Sequence, residues 1–220
     1  MSRWWCGLAL ASIALTACSG GDDAATSGPS SDASPAQNAP PPSDGELLTS
    51  LLTPAELGPD FNGPPPVLGG EAEENVSDKP LCGIENDQDE LAQASVGPMT
   101  TPEATEQVFE RITVVRDLRD ANEHLEIEGQ RAQARCTFDQ TVEQTTYTVT
   151  VEGPVELDVG EQAAGFSQAY TGGYVGYRWD MTSRTGRILV NVQYTSTSPI
   201  DPERARELLE KAHDKALPLS

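Results

Sequence analysis

Residues 145–151 read TTYTVTV and residues 187–197 read RILVNVQYTST. Both alternate apolar with polar side chains and are rich in β-branched residues, the period-two pattern of a strand with one buried face. Ala163 to Tyr170 and Tyr174 to Ser183 carry the same chemistry, and turns containing Gly172-Gly173 and Thr185-Gly186 separate the runs. Four or five mostly antiparallel strands are therefore expected in the second half of the chain.

Working outward, Asp201-Pro202-Glu203 is a helix start, with a capping aspartate and a proline at the first helical position. Ala205, Leu208, Leu209 and Ala212 follow as an apolar stripe, and Lys211, His213 and Lys215 lie where the helix dipole favours positive charge. On the other side, Leu118, Ala121, Leu125 and Ala132 share one helical face, interrupted by Gly129, so 116–135 reads as a helix with a weak point. Residues 107–115 (QVFERITVV) fit either period, and their β-branched content favours a strand. Thr53-Pro54-Ala55-Glu56 has the capping-box arrangement of a very short helix that Gly58 stops. The expected class is α+β: a twisted, mostly antiparallel sheet with a central helix and a C-terminal amphipathic helix packed on it.

The N-terminal 45 residues have a different character. Residues 6–17 (CGLALASIALTA) form an apolar run with the length of a secretory signal, too short to cross a bilayer. It ends in Leu15-Thr16-Ala17-Cys18, which resembles the bacterial lipobox; the resemblance implies cleavage before Cys18, lipid on its thiol, and attachment to the cell membrane facing outside the cytoplasm. An ordinary signal peptide that happens to contain cysteine is the alternative. Two acyl chains give effectively stable anchoring at about 0.8 kcal/mol per buried methylene. Residues 19–45 contain no aromatic or branched aliphatic side chain and read as a disordered Pro/Ser/Gly tether. The division is then 1–17 signal peptide, 18–45 lipidated cysteine and tether, and 46–220 folded domain. Asn75-Val76-Ser77 matches a glycosylation acceptor, which a bacterial lipobox makes a chance match.

Of the four cysteines, signal cleavage removes Cys6 and acylation uses Cys18. Cys82 and Cys136 remain in an oxidising compartment and are expected to form a disulfide contributing on the order of 4 kcal/mol. The competing reading, two ligands of a metal site, needs partners at defined spacing, and His124 and His213 are the chain's two histidines.

Residues 51–57 (LLTPAEL), Pro80-Leu81-Cys82-Gly83, a central helix ending at Cys136, the Arg184-Thr185-Gly186-Arg187 turn leading into Asn191-Val192, and a final amphipathic helix together resemble the PknH-like extracellular sensor domain of actinobacteria. The resemblance spans residues 46–216. It implies a non-catalytic sensor domain found on membrane kinases and on free-standing lipoproteins, with a V-shaped cleft beside a twisted sheet for an unidentified ligand. Cys82 and Cys136 match the family's first cysteine pair; the second pair, expected near Arg184 and Tyr194, is missing, which makes this a single-disulfide variant and puts the cleft's shape in question.

The chemistry-bearing motifs are sparse. Gly165-Phe166-Ser167-Gln168-Ala169 approximates a nucleophile elbow, with Asp180 or Asp201 and then His213 following in hydrolase order. The residues after Ser167 read as a turn between strands and not as the helix an elbow requires, and His213 reads as a solvated, dipole-capping side chain. No cofactor is expected, since P-loop, dinucleotide-binding and metalloprotease motifs are absent. The acidic run 85–90 lacks the glycine and distal glutamate of a calcium loop and reads as a solvated turn. Aromatic residues do cluster: Phe166, Tyr170, Tyr174, Tyr177 and Trp179. Tyr177 and Trp179 share one face of a strand, with Arg178 and Asp180 on the other. As core they explain themselves; as a binding surface, Tyr174, Tyr177 and Trp179 are the candidate ligand residues, for an apolar or sugar-like molecule.

The chain's formal charge is −21 over 220 residues, and residues 46–220 hold 31 acids against 13 bases. That field opposes nucleic acid and electrostatic membrane docking. The expected partners are the membrane, through the acyl group on Cys18, and an unidentified envelope ligand or protein. A membrane-anchored envelope lipoprotein with a non-catalytic sensor or ligand-binding domain is thus the expected function; a lipid or glycolipid carrier, and a serine hydrolase using Ser167, are the alternatives.

Overall fold

The computed structural model describes residues 40–69, 81–84, 90–142, 144–173 and 175–220. Helices α1 (Asp44–Thr49) and α2 (Pro54–Leu57) precede strands β1 (Val67–Leu68), β2 (Glu90–Thr100) and β3 (Glu106–Val115). Helix α3 (Leu118–Ala134) follows, then β4 (Thr137–Val142), β5 (Thr145–Pro154), β6 (Gln162–Gly172), β7 (Gly176–Thr185), β8 (Ile188–Ser196) and α4 (Pro202–Ala216). The strands form one sheet in the order β1-β2-β3-β8-β7-β6-β5-β4, and every described pairing is antiparallel. The α+β class holds, and residues 107–115 are a strand.

The first helix starts two residues inside the stretch read as tether. Ser43 caps it, and Glu46 reaches back to the Ser43 N–H at 2.8 Å, completing a capping box. The expected box at Thr53 also forms: the Glu56 carboxylate accepts from the Thr53 N–H and hydroxyl, both at 2.7 Å. Helix α3 runs unbroken through Gly129, capped by Asp117, whose side chain accepts from the N–H groups of Arg119 and Asp120. Its packing against the sheet supplies what the glycine lacks in propensity.

Besides the two-residue β1, two longer strands escaped the sequence pattern. The run 90–100 (ELAQASVGPMT) is alanine-rich and carries Gly97-Pro98, yet β2 holds through a bulge between Val96 and Met99 against β3. Of the acidic run 85–90, Glu90 opens this strand, and the remainder lies outside the described residues, as does Asn75-Val76-Ser77. The other, β4, pairs with β5 at the sheet edge.

Both sheet faces are covered, unequally. On one, α1, α2 and α4 bring Leu47, Leu51, Leu52, Leu57, Leu208 and Leu209 onto Val108, Ile112, Val114, Met181, Val190 and Val192. On the other, α3 lies across the strands: Ala121 and Leu125 meet Val115 and Leu189, and Ala132 meets Val151 and Phe166. Cys82 and Cys136 form the expected disulfide beside Ala132, tying the 81–84 turn to the end of α3.

One residue of the larger core is an acid. Glu110 alternates with Val108 and Ile112 on the apolar face of β3 and is fully buried. Its Oε2 accepts the Leu52 N–H at 2.6 Å, fixing the α1–α2 segment to the sheet, while Oε1 meets no donor among the described residues. Burial pushes its pKa up to about 8. A raised carboxyl stabilises the fold fully below its unfolded value near 4.5 and loses that contribution as pH climbs toward 8. Glu110→Gln keeps the acceptor for Leu52 and removes the titration. It should raise the melting temperature by several degrees at pH 8 and by little at pH 4.5, as measured by calorimetry across pH.

Candidate functional site

Helix α3 crosses the sheet obliquely, from Val115 and Leu189 at its start to Val151 and Phe166 at its end. Beside it a strip of the same face, formed by β3, β8 and β7, stays uncovered by apolar side chains. Alternation turns Phe109 and Arg111 of β3, Asn191 and Gln193 of β8, and Arg178, Asp180 and Thr182 of β7 onto this strip. The register sets Arg111 opposite Asn191, Asn191 opposite Thr182, and Asp180 opposite Gln193. Helical spacing of four and three residues then places His124, Glu128 and Arg131 along one flank of α3. The result is a polar and charged cluster along the flank of α3, which the proposed function treats as a cleft.

Its groups are tightly interconnected. Asp180 accepts from Arg178 Nη2 at 3.0 Å and from Asn191 Nδ2 at 2.7 Å, so both carboxylate oxygens are held. Arg131 donates through Nη1 to Glu128 Oε1 at 2.8 Å and through Nη2 to the Ile84 carbonyl at 3.3 Å, linking the cleft wall to the disulfide turn. The Arg111 guanidinium stands 5.7 Å from the centre of the Phe109 ring. Exposure is graded: 7% for the Glu128 side chain, 12% for Asp180, 16% for Arg131 and 26% for Arg178, so the charged groups are largely buried and Arg178 reaches solvent furthest.

The electrostatics follow from that crowding. Burial lowers the His124 pKa to about 4, helped by the positive charges of Arg131 and Arg111 and opposed by Asp180. Burial likewise raises Glu128, with the negative charge of Asp180 adding to the effect and Arg131 resisting it. At neutral pH the imidazole is uncharged, and Arg131 and Arg178 stand paired with Glu128 and Asp180. Among the described residues no three His, Cys, Asp or Glu side chains are grouped to hold a metal ion. What the arrangement offers is polar, charge-assisted recognition.

The residues named from sequence fall elsewhere. Tyr177 and Trp179 are half-buried on the opposite, α4-bearing face, where Trp179 packs against the larger core and registers with Ser167 and Tyr194. Tyr174 and Cys18 lie outside the described residues. The hydrolase order is not assembled. Ser167 sits in mid-strand, β6 continuing antiparallel to Gly172, and Ser183 pairs with Ala163, four residues or about 13 Å along the strand from Ser167.

His213 is not the solvated cap expected. It is buried against β7, bonded to Ser183 Oγ at 2.9 Å and Thr185 Oγ1 at 3.0 Å. Four residues beyond Leu209, it falls on the helix's apolar stripe, and its ring passes so close to Gly160 that a Cβ there would lie 2.5 Å away. Sequence reading missed the cleft residues Arg111, His124, Glu128, Arg131 and Asn191. The available signals were the 124-128-131 spacing and the Arg178/Asp180 pair opposite the aromatics.

Burial lowers the pKa of both histidines. A depressed histidine contributes stability above its unfolded value of 6.5 and loses it as pH falls, for His124 between 6.5 and about 4. An NMR titration of the ring carbons should give a His124 midpoint near 4 and a His213 midpoint below 6.5. A His124 midpoint at 6.5 would place that ring in solvent and dissolve the cleft's electrostatic description.

No family model and no curated protein matches the chain. Among solved structures, an uncharacterised protein from Mycobacterium smegmatis aligns at a TM-score of 0.48 and 12% identity, over 77% of this chain and 95% of that one. The extracellular domain of PknH from Mycobacterium tuberculosis aligns at a TM-score of 0.63 and 13% identity, over 81% of this chain and 98% of that one. An eight-stranded antiparallel sheet with α3 across one face and α4 on the other is thus the fold of the PknH extracellular domain.

Proposed function

We propose that the chain is a non-catalytic sensor domain, held outside the cytoplasmic membrane by an acylated Cys18, and that its ligand enters the cleft beside α3. One observation carries the reading: six ionisable side chains from three separate elements, Arg111 of β3, His124, Glu128 and Arg131 of α3, and Arg178 and Asp180 of β7, converge on one strip of sheet. Stability does not require such a group, because burying charges costs more than apolar packing of the same volume. The shared fold with an extracellular domain fits an outward-facing location. No helix of the described residues is long and apolar enough to cross a membrane.

The aromatic pair Tyr177 and Trp179 is the second candidate surface, kept open by its partial exposure. The carrier reading is less well supported. The shallow, half-open pocket lined by Ile188, Val190, His213, Ala216 and Leu217 amounts to about 160 Å³ with open solvent included, too little for a lipid.

Native mass spectrometry of the full chain from its own membrane tests anchor and site together. Cys18→Ala should abolish the acyl mass and release the protein from the membrane fraction. Arg178→Ala with His124→Ala should lose any co-purified small molecule, while Tyr177→Ala with Trp179→Ala should retain it. The reverse pattern would move the site to the aromatic face, and unfolding of the aromatic variant on a thermal melt would assign that pair to the core.

A further inference from the structure

The sheet face that carries α4 is closed by two separate covers. Helix α4 packs on β8 and β7, while α1 packs on β2 and β1. Strand β3 runs between β2 and β8, so Glu110 lies beneath the seam where the covers meet. Across that seam three cations of α4 donate to backbone carbonyls of the 51–57 stretch: Lys215 to Leu51 at 2.7 Å, Lys211 to Glu56 at 2.8 Å and Arg204 to Leu57 at 3.1 Å. Water can replace these bonds at little net cost, because each reaches the partly exposed rim of the seam.

The bond from beneath is of another kind. Glu110 registers with Val96 of β2 and Val192 of β8, neither of which brings a side-chain donor. The charges that reach it are Lys215 of α4 and Glu56 of α2, and the acids of α1, Asp44 and Glu46, are exposed. Oε1 has no partner among the described residues, so an ionised Glu110 needs water there. The sheet cannot admit that water, since β3 is laddered along its length to a strand on each side. The α1–α2 cover has no strand pairing. It ends at Gly58, at φ 146°, and the chain is pinned again where Asn62 exchanges two backbone bonds with Thr100, at 2.9 and 2.7 Å.

We propose that residues 43–57 form a proton-gated strap: it lies closed over Glu110 while that carboxyl is protonated, and deprotonation lifts it about Gly58 with the sheet and α4 still folded. Lifting withdraws Leu47, Leu51, Leu52 and Leu57 from the core. It also adds up to about 50 Å of chain between residue 43 and the sheet. Opening releases one proton. The closed carboxyl titrates at about 8 and the hydrated one near 4.5, so the opening constant rises about tenfold per pH unit between these values and levels off above 8.

Hydrogen exchange of the full chain, followed by mass spectrometry from pH 5 to pH 9 and corrected for the intrinsic rate, reads this directly. Protection of the 44–57 amides should fall about tenfold per pH unit up to pH 8 and then level off, staying below that of β3 and β8 throughout. Glu110→Gln should make strap protection independent of pH, with β8 protection reporting that the variant is folded. Should it not fold, the wild-type profile still decides. Strap protection that ignores pH in the wild type, or the same pH slope in Glu110→Gln, overturns the gate. Strap protection equal to that of β8 at every pH overturns the strap, because Glu110 would then meet water only on global unfolding.

Discussion

A helix of 17 residues cannot cover a sheet of eight strands. Helix α3 is about 25 Å long and the sheet about 34 Å across, and α3 is the one described helix on its face. Where α3 lies, the strands present Val115, Leu189, Val151 and Phe166. Where it does not, they present Arg111, Asn191, Gln193, Arg178 and Asp180. The cleft is the boundary between these regions, and the polar flank of α3 supplies its wall. The opposite face solves the same problem differently: α4 and the α1–α2 segment together cover it, held by the buried Glu110–Leu52 bond and by Lys215 donating to the Leu51 carbonyl.

Local chemistry made much of this fold legible. Period-two alternation located β5 through β8, β-branched content located β3, and capping residues located α2 and α4, because those signals are written within a few consecutive residues. Strand β2 was hidden because its regularity depends on β3 beside it. Alanine, glycine and proline give it little intrinsic preference, and pairing on both sides overrides that. His213 misled for a related reason: a basic residue near a helix end satisfies the dipole argument whether it faces water or, as here, two hydroxyls of β7.

The cleft was harder to see than any element. Its residues come from β3, α3, β7 and β8, and nothing in their sequence separation marks them as neighbours. The aromatic cluster drew the eye to Tyr177 and Trp179, on one side of β7. The next residues along that strand, Arg178 and Asp180, point the other way and meet α3.

The contact between Arg187 Nη2 and the Pro40 carbonyl at 2.9 Å fixes where the N-terminal segment joins the domain, at the turn closing the β7–β8 hairpin. Arg178 lies seven residues up β7 from that turn, about 23 Å away. A pull applied from upstream of residue 40 would therefore act on the end of the sheet remote from Arg178.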